Sequence, residues 1–254
     1  MLFRSPGNGH PQQGYFLVGG KYVEGKTGPI MERQMYVEYR FPAKVTQKYP
    51  IVMIHGAAQT GTNFTGTPDG RKGWAEYFVE KGYAVYVVDQ PTRGRSAWNE
   101  SVGPLIRFSA SQLEQRFTNA AQHKLWPQAA LHTQWPGEGP KKGQRGDPVF
   151  DQFYASQIQY IGRNDVSERL LRDAGAALLD RIGLPFCVAS NTETERLRWN
   201  LEIAGLLKRF DPHVYSAKMV ARGKPAPDLF WHAAKQFGVP PERCLVIEIG
   251  RAHV

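Results

Sequence analysis

The sequence predicts an α/β fold in two successive parts, and three observations predict it. A strand–loop–helix–strand run occupies residues 51–88. A strongly striped helix ends at Gly183. A second run of apolar strand, helix and apolar strand fills the residues after it. Strands that alternate with helices at this spacing form βαβ units, and those units imply a parallel sheet.

Taken in order, Gln34–Phe41 alternates strictly and puts Met35, Val37, Tyr39 and Phe41 on one face, as a half-buried strand does. Ile51–Ile54 is a continuous apolar run, as expected of a central parallel strand, and His55-Gly56-Ala57-Ala58 closes it. A helix from about Gly73 is expected to bury Trp74, Tyr77, Phe78 and the stem of Lys81, with Gly82 at its C-terminal end. Ala84–Val88 is the next buried strand, closed by Asp89-Gln-Pro-Thr-Arg-Gly94. Residues 103–146 carry no sustained period. Trp98, Trp126 and Trp135 in and beside that stretch either line an apolar pocket or pack ordinarily, and packing is the favoured reading. His123 and His132 have no companions at metal-ligand spacing and read as surface histidines. A helix begins near Asp151, and a firmer one spans Val166–Ile182 with Leu170, Leu171, Ala174, Leu178 and Ile182 on one stripe.

In the second part, Phe186–Ala189 is a buried strand ending at Ser190. Thr192 and Glu195 fit a capping box for a helix over Glu193–Ala204, with Gly205 behind it. Pro227 and Asp228 open a further helix to Phe237, where Asp228 also suits the positive end of the helix dipole. Cys244–Ile247 is another buried strand, with Glu248 at its end.

Composition narrows the function classes only a little. The 254 residues are 41% hydrophobic and 12% aromatic, which excludes a broadly disordered chain. The net charge of +9 suits anionic substrates, but the basic residues are scattered rather than clustered. Lys141, Lys142 and Arg145 read as a solvated group, and no nucleic-acid partner is expected. Cys187 and Cys244 both sit in short apolar runs, so buried thiols are expected rather than a disulfide or metal site. Met1–Gln13 has no apolar core for a signal peptide, and no run reaches membrane-spanning length, so a cytoplasmic, non-membrane protein is expected.

The first part resembles an esterase-type α/β-hydrolase. The resemblance rests on the strand ending in His55-Gly56, the helix from Trp74 to Gly82, and Val85–Asp89 followed by Arg93-Gly94-Arg95-Ser96. It implies that His55, Gly56 and Ala57 belong to an oxyanion loop, in which Ala57 or Ala58 donates a backbone N–H to a developing negative charge. The alternative for His55 is a strand cap packed under a loop. Such an enzyme also needs a Gly-x-Ser-x-Gly elbow, which is absent; the nearest string, Gly94-Arg-Ser96-Ala-Trp98, follows the wrong strand.

The second part resembles the back half of a haloacid dehalogenase-like (HAD) phosphatase of the phosphoglucomutase-like subgroup. The residues that carry this are Pro185-Phe-Cys-Val-Ala-Ser190-Asn, Gly223-Lys224-Pro-Ala-Pro-Asp228 and Cys244-Leu-Val-Ile-Glu248. The resemblance implies that Ser190 hydrogen-bonds phosphoryl oxygens, that Lys224 offsets their charge, that Asp228 belongs to the same motif, and that Glu248 coordinates Mg2+. It also implies a small-molecule phosphate ester as substrate, as the first part implies an ester. The family's nucleophile motif, Asp-x-Asp, occurs nowhere in the chain, and Glu248 is not followed by the expected Asp-Ser.

The expected organisation is therefore a partial α/β-hydrolase sheet over residues 1–183 and a partial, Rossmann-like parallel HAD segment over 184–248. Residues 249–254 are expected to be a non-native tail, because Glu248–Val254 is a translation of GAGATCGGAAGAGCACACGTC, which resembles sequencing-adapter DNA. The functional expectation is a hydrolase by ancestry that is inactive as this chain, with a non-catalytic chimeric fragment as the alternative.

Overall fold

A computed structural model describes residues 9–47, 49–183, 187–203, 205–224 and 226–241. The chain divides into two units, Met1–Ile182 and Gly183–Val254.

The first unit is built on a long antiparallel hairpin of β1 (Gln12–Gly25) and β2 (Gly28–Phe41). The register runs unshifted from Gln12 opposite Phe41 to Gly25 opposite Gly28, and pairing is interrupted only at Gly20 and Arg33, which both adopt positive φ. A Cβ on Gly19 beside this interruption would lie 3.3 Å from the Ala174 backbone, so the glycine is what lets the helix carrying Ala174 approach. Next come β3 (Ile51–Met53), α1 (Thr62–Thr65), α2 (Trp74–Glu80) and β4 (Val85–Asp89). The sheet order is β1-β2-β4-β3.

Only β3 and β4 are parallel; β2 meets β4 antiparallel, so the sheet is mixed rather than parallel. The expected central strand is also misplaced. All five residues of β4 are buried, whereas β3 lies at the sheet edge with Ile51 and Val52 half-buried and Ile54 exposed. A continuous apolar run marks both strands alike, and periodicity cannot say which has a neighbour on each side. The helix α2 forms where expected, but Trp74 is 62% exposed and Tyr77 is exposed as well. With only two turns, α2 reaches the sheet through Ala75, Phe78 and Val79, which pack on Met53, Val85 and Val87.

The stretch after β4 is a succession of short pieces: β5 (Leu105–Ile106), α3 (Ala110–Leu113), α4 (Ala120–His123) and α5 (Pro148–Ala155). Trp135 packs 5.7 Å from the Phe153 ring and donates Nε1–H to Asp147 at 2.9 Å, and Trp126 lies 5.4 Å from the His132 ring, whereas Trp98 is exposed. β6 (Tyr160–Ile161) pairs with β5, and α6 (Asn164–Ile182) follows. Ala174 and Leu178 of α6 cover the sheet face formed by Phe16, Val18, Met35, Val37, Tyr86 and Val88. Burial of each large apolar side chain there stabilises the unit by about 1.5–3 kcal/mol.

The second unit contains β7 (Val188–Ser190), α7 (Thr194–Ile203), α8 (Leu207–Phe210), β8 (Val214–Ser216) and α9 (Asp228–Gln236). β7 and β8 are parallel, with Val188 opposite Val214 and Ser190 opposite Ser216. Strand alternation gives each face one helix: Val188 and Val214 meet Leu197 and Leu201 of α7, while Ala189 and Tyr215 meet Leu229 and Ala233 of α9. Cys187, expected to be buried, is half-buried on the α9 side. Cys244, the strand through Ile247 and Glu248 lie outside the described residues. Among the described residues no helix is long and apolar enough to cross a membrane.

Candidate functional site

In the first unit, two loops leave the carboxyl ends of β3 and β4, and the Asp89 carboxylate stitches them together. It is 1% exposed. It accepts from Gly61 N–H at 2.7 Å, from Arg95 N–H at 2.9 Å, and from Arg95 Nε at 2.8 Å. Burial alone would raise its pKa, but the Arg95 guanidinium and the two backbone donors outweigh that and hold it below the usual carboxylate value. Ser96, fully buried, donates to the Asp89 carbonyl at 2.5 Å and accepts from Tyr36 N–H at 2.7 Å. The Ser96 hydroxyl is thus committed to structure. Gly94 has φ +48°, and a Cβ there would lie 2.6 Å from Asp89 Oδ2.

His55 is 3% exposed. Gln90 N–H donates to its Nε2 at 3.0 Å, which leaves Nδ1 to carry the proton and donate to the Gly56 carbonyl at 2.9 Å. Burial, opposed by the Gly56 carbonyl, pulls its pKa down to about 4. Both ring nitrogens are occupied, so this imidazole orients the loop and has no lone pair left for a substrate. Gly56 and Ala57 are exposed, and Ala58 is buried with φ +60°. Ala58 accepts from Ile158 N–H at 2.8 Å, while the N–H groups of Ala57 and Ala58 find no acceptor among the described residues. Backbone donors beside a positive-φ residue make a concavity suited to an oxyanion.

In the second unit, Ser190 ends β7. Its hydroxyl donates to Thr192 Oγ1 at 3.1 Å and accepts from Thr192 N–H at 3.2 Å. Lys224 lies in the loop after β8. Asn191 joins the two: its side-chain N–H donates to the Lys224 carbonyl at 2.8 Å, and its Oδ1 accepts from Lys224 N–H at 2.7 Å. Gly223 permits this approach, because a Cβ there would fall 2.7 Å from Asn191 Oδ1. The Lys224 ammonium sits 6.0 Å from the Phe230 ring centroid. Asp228 heads α9 but is paired with Arg222 at 2.8 and 3.1 Å, and that pairing lowers its pKa. The structure therefore brings Ser190 and the Lys224 backbone together and gives Asp228 to a different partner. Asn191 was missed by sequence reasoning; the Ser-Asn step immediately after an apolar strand was the available clue.

No three His, Cys, Asp or Glu side chains come together among the described residues. A hard cation needs several oxygen ligands, and the described carboxylates near this loop are engaged, Asp228 by Arg222 and Glu193 by Lys218 at 3.1 Å. The described residues do not fit a Mg2+ site.

A haloacid dehalogenase-like hydrolase family model matches residues 60–248. The chain belongs to the HAD-like hydrolase family. The match begins at Thr60, so it is not confined to the residues after 183. Among curated relatives, the chain is 46% identical over 187 residues to a "Probable secreted lipase phiG" of a fungal species, covering 74% of this chain and 48% of the lipase. It is 32% identical over 98 residues to the 6-phosphogluconate phosphatase of Escherichia coli, covering 37% of this chain and 44% of that enzyme. Hexitol phosphatase A of the same organism is 34% identical over 77 residues, covering 30% of this HAD-like chain and 34% of the relative. The chain thus spans less than half the length of each of these three relatives. A solved bacterial esterase matches with a TM-score of 0.47 and 30% identity, covering 66% of this chain and 57% of that one.

Proposed function

We propose that this HAD-like chain binds phosphate esters of small molecules through its second unit and does not hydrolyse them unaided. The observation that carries this is the Asn191 clamp, which holds the end of the Ser190 strand against the Lys224 backbone. Such an arrangement supplies a hydroxyl and a cation to a phosphoryl group, the electrostatic part of phosphoryl chemistry. A further fact supports the absence of turnover: no Asp-x-Asp occurs in the sequence. Mg2+ is the family's cation; Glu248 is the residue proposed for it. Incubation with nitrophenyl phosphate and Mg2+ should give no turnover above background, while titration with inorganic phosphate should show a binding component that Lys224→Ala removes. Robust turnover that co-purifies with the chain, or phosphate binding indifferent to Lys224→Ala, would sink this reading.

A second reading is favoured by the lipase match, which is far longer than the second unit and so falls mostly in the first. In it, the first unit is an incomplete esterase-type α/β-hydrolase in which Ala57 and Ala58 form the oxyanion loop, and the chain is a join of two hydrolase fragments ending in a non-native tail. The unit boundary at Ile182–Gly183 supports a join there. Amplification across codons 150–254 from genomic DNA tests it: one product with this sequence refutes both the join and the tail.

A further inference from the structure

We propose that the first unit carries an oxyanion-binding site centred on Arg93, for a small molecule bearing a carboxylate or phosphate group. Arg93 is only 4% exposed, yet its Nε and Nη1 are sealed from solvent without a hydrogen-bond partner. No carboxylate among the described residues pairs with it. A guanidinium keeps its charge at physiological pH, and a buried charge without a counter-charge is strongly unfavourable. The shortage is local: Arg95, two residues on, takes both Asp89 and Glu38 at 2.8 Å.

What holds Arg93 is an aromatic group. Its guanidinium lies 5.2 Å from the Tyr160 ring centroid. Tyr160 stands 5.2 Å from Phe108, over which Arg116 sits at 5.6 Å. Tyr154 donates its hydroxyl to the Phe108 carbonyl at 3.2 Å and carries Arg107 over its ring at 5.5 Å. Three arginines are therefore gathered on linked rings, and none forms an ion pair with a described carboxylate. Ring faces orient a cation without cancelling its charge, so the field of all three is available to an anion. The group adjoins the donors described above, because Ile158, two residues before Tyr160, bonds the Ala58 carbonyl. Guanidinium donors fit the paired oxygens of carboxylate and phosphate equally, so either chemistry can supply the ligand.

This site is independent of the phosphate loop in the second unit, and calorimetric titration of the full chain with sodium acetate and, separately, with inorganic phosphate separates the two. Chloride keeps ionic strength constant. In Lys224→Ala, which lacks the phosphate binding of the second unit, at least one anion should still bind saturably, and which one does identifies the ligand class of the first. Arg93→Met, added to Lys224→Ala, should weaken that remaining binding at least about tenfold. Should Arg93→Met fail to fold, the surface double variant Arg107→Gln/Arg116→Gln should still weaken binding about threefold and flatten its salt dependence. Absence of saturable heat with both anions overturns the proposal. So does wild-type affinity in both arginine variants, or binding that is lost only in Lys224→Ala.

Discussion

Asp89 with Arg95 in the first unit and Asp228 with Arg222 in the second are the same two side chains, each pair six residues apart and joined through Nε and Nη2. Their surroundings differ completely. Asp89 is buried, takes two backbone N–H groups besides the guanidinium, and fixes two loops; its arginine also reaches Glu38 and lies 4.0 Å from the Tyr36 ring centroid. Asp228, half-buried at the head of α9, meets an exposed Arg222. Pair geometry is therefore a poor measure of importance: what matters is how many other buried groups lose a partner when the pair is broken.

The sharpest way to break this comparison is Asp89→Asn, which preserves shape but removes the charge facing Arg95 and turns one of the two acceptor oxygens into a donor set against Gly61 N–H or Arg95 N–H. A loss of about 3–5 kcal/mol is expected in denaturant unfolding of the first unit; a loss below about 1 kcal/mol would mean the stitched loops are held by something else.

Next in size is acid. His55 titrates at about 4 when folded and at 6.5 in a free chain. Between those values the unfolded state takes up the proton first, so stability is complete above about pH 6.5 and falls towards pH 4, by up to about 3 kcal/mol. Asp89, whose pKa is depressed, withdraws its contribution only at lower pH, as acid protonates the folded carboxylate. Urea midpoints from pH 7.5 to 4.5 should drop in the wild type and stay flatter in His55→Gln. Equal slopes would remove His55 as the source.

Gly94→Ala should cost about 1–3 kcal/mol, because the added Cβ meets the Asp89 carboxylate at a backbone conformation that suits glycine. A thermal melt indistinguishable from wild type would show that this turn relaxes freely. Smallest of all, Asp228→Asn should leave the unfolding midpoint unmoved; a clear destabilisation would put the second pair on a par with the first.

The sequence was legible where burial is one-sided. The α6 stripe reads correctly because Leu170, Ala174 and Leu178 face the interior while their neighbours face water. β1 was missed because its alternation is reversed in mid-strand: Phe16 and Val18 point inward, but Gly19 and Gly20 break the phase, and Tyr15, Leu17 and Tyr22 are apolar on the outer side. The expectation that Trp74 and Tyr77 are buried fails, because the small Ala75 is the α2 residue in full contact with the sheet. At the candidate sites, residue types in motif order point to Ser190 and Lys224 but say nothing of what joins them. The Asn191 clamp and the orphaned Arg93 depend on what stands opposite them across tens of residues, which spacing along one chain does not encode.

The outer side of the β1–β2 hairpin has a consequence for synthesis. Its partners are near neighbours in sequence, and such a hairpin closes within microseconds. It emerges from the ribosome before β4, the strand that completes its pairing, has been made. For that interval the nascent chain presents Tyr15, Leu17, Tyr22 and Met31 on a strand pair whose other edge is still open. The growing chain thus displays an apolar strand surface early, and four apolar side chains of it stay exposed after folding is complete.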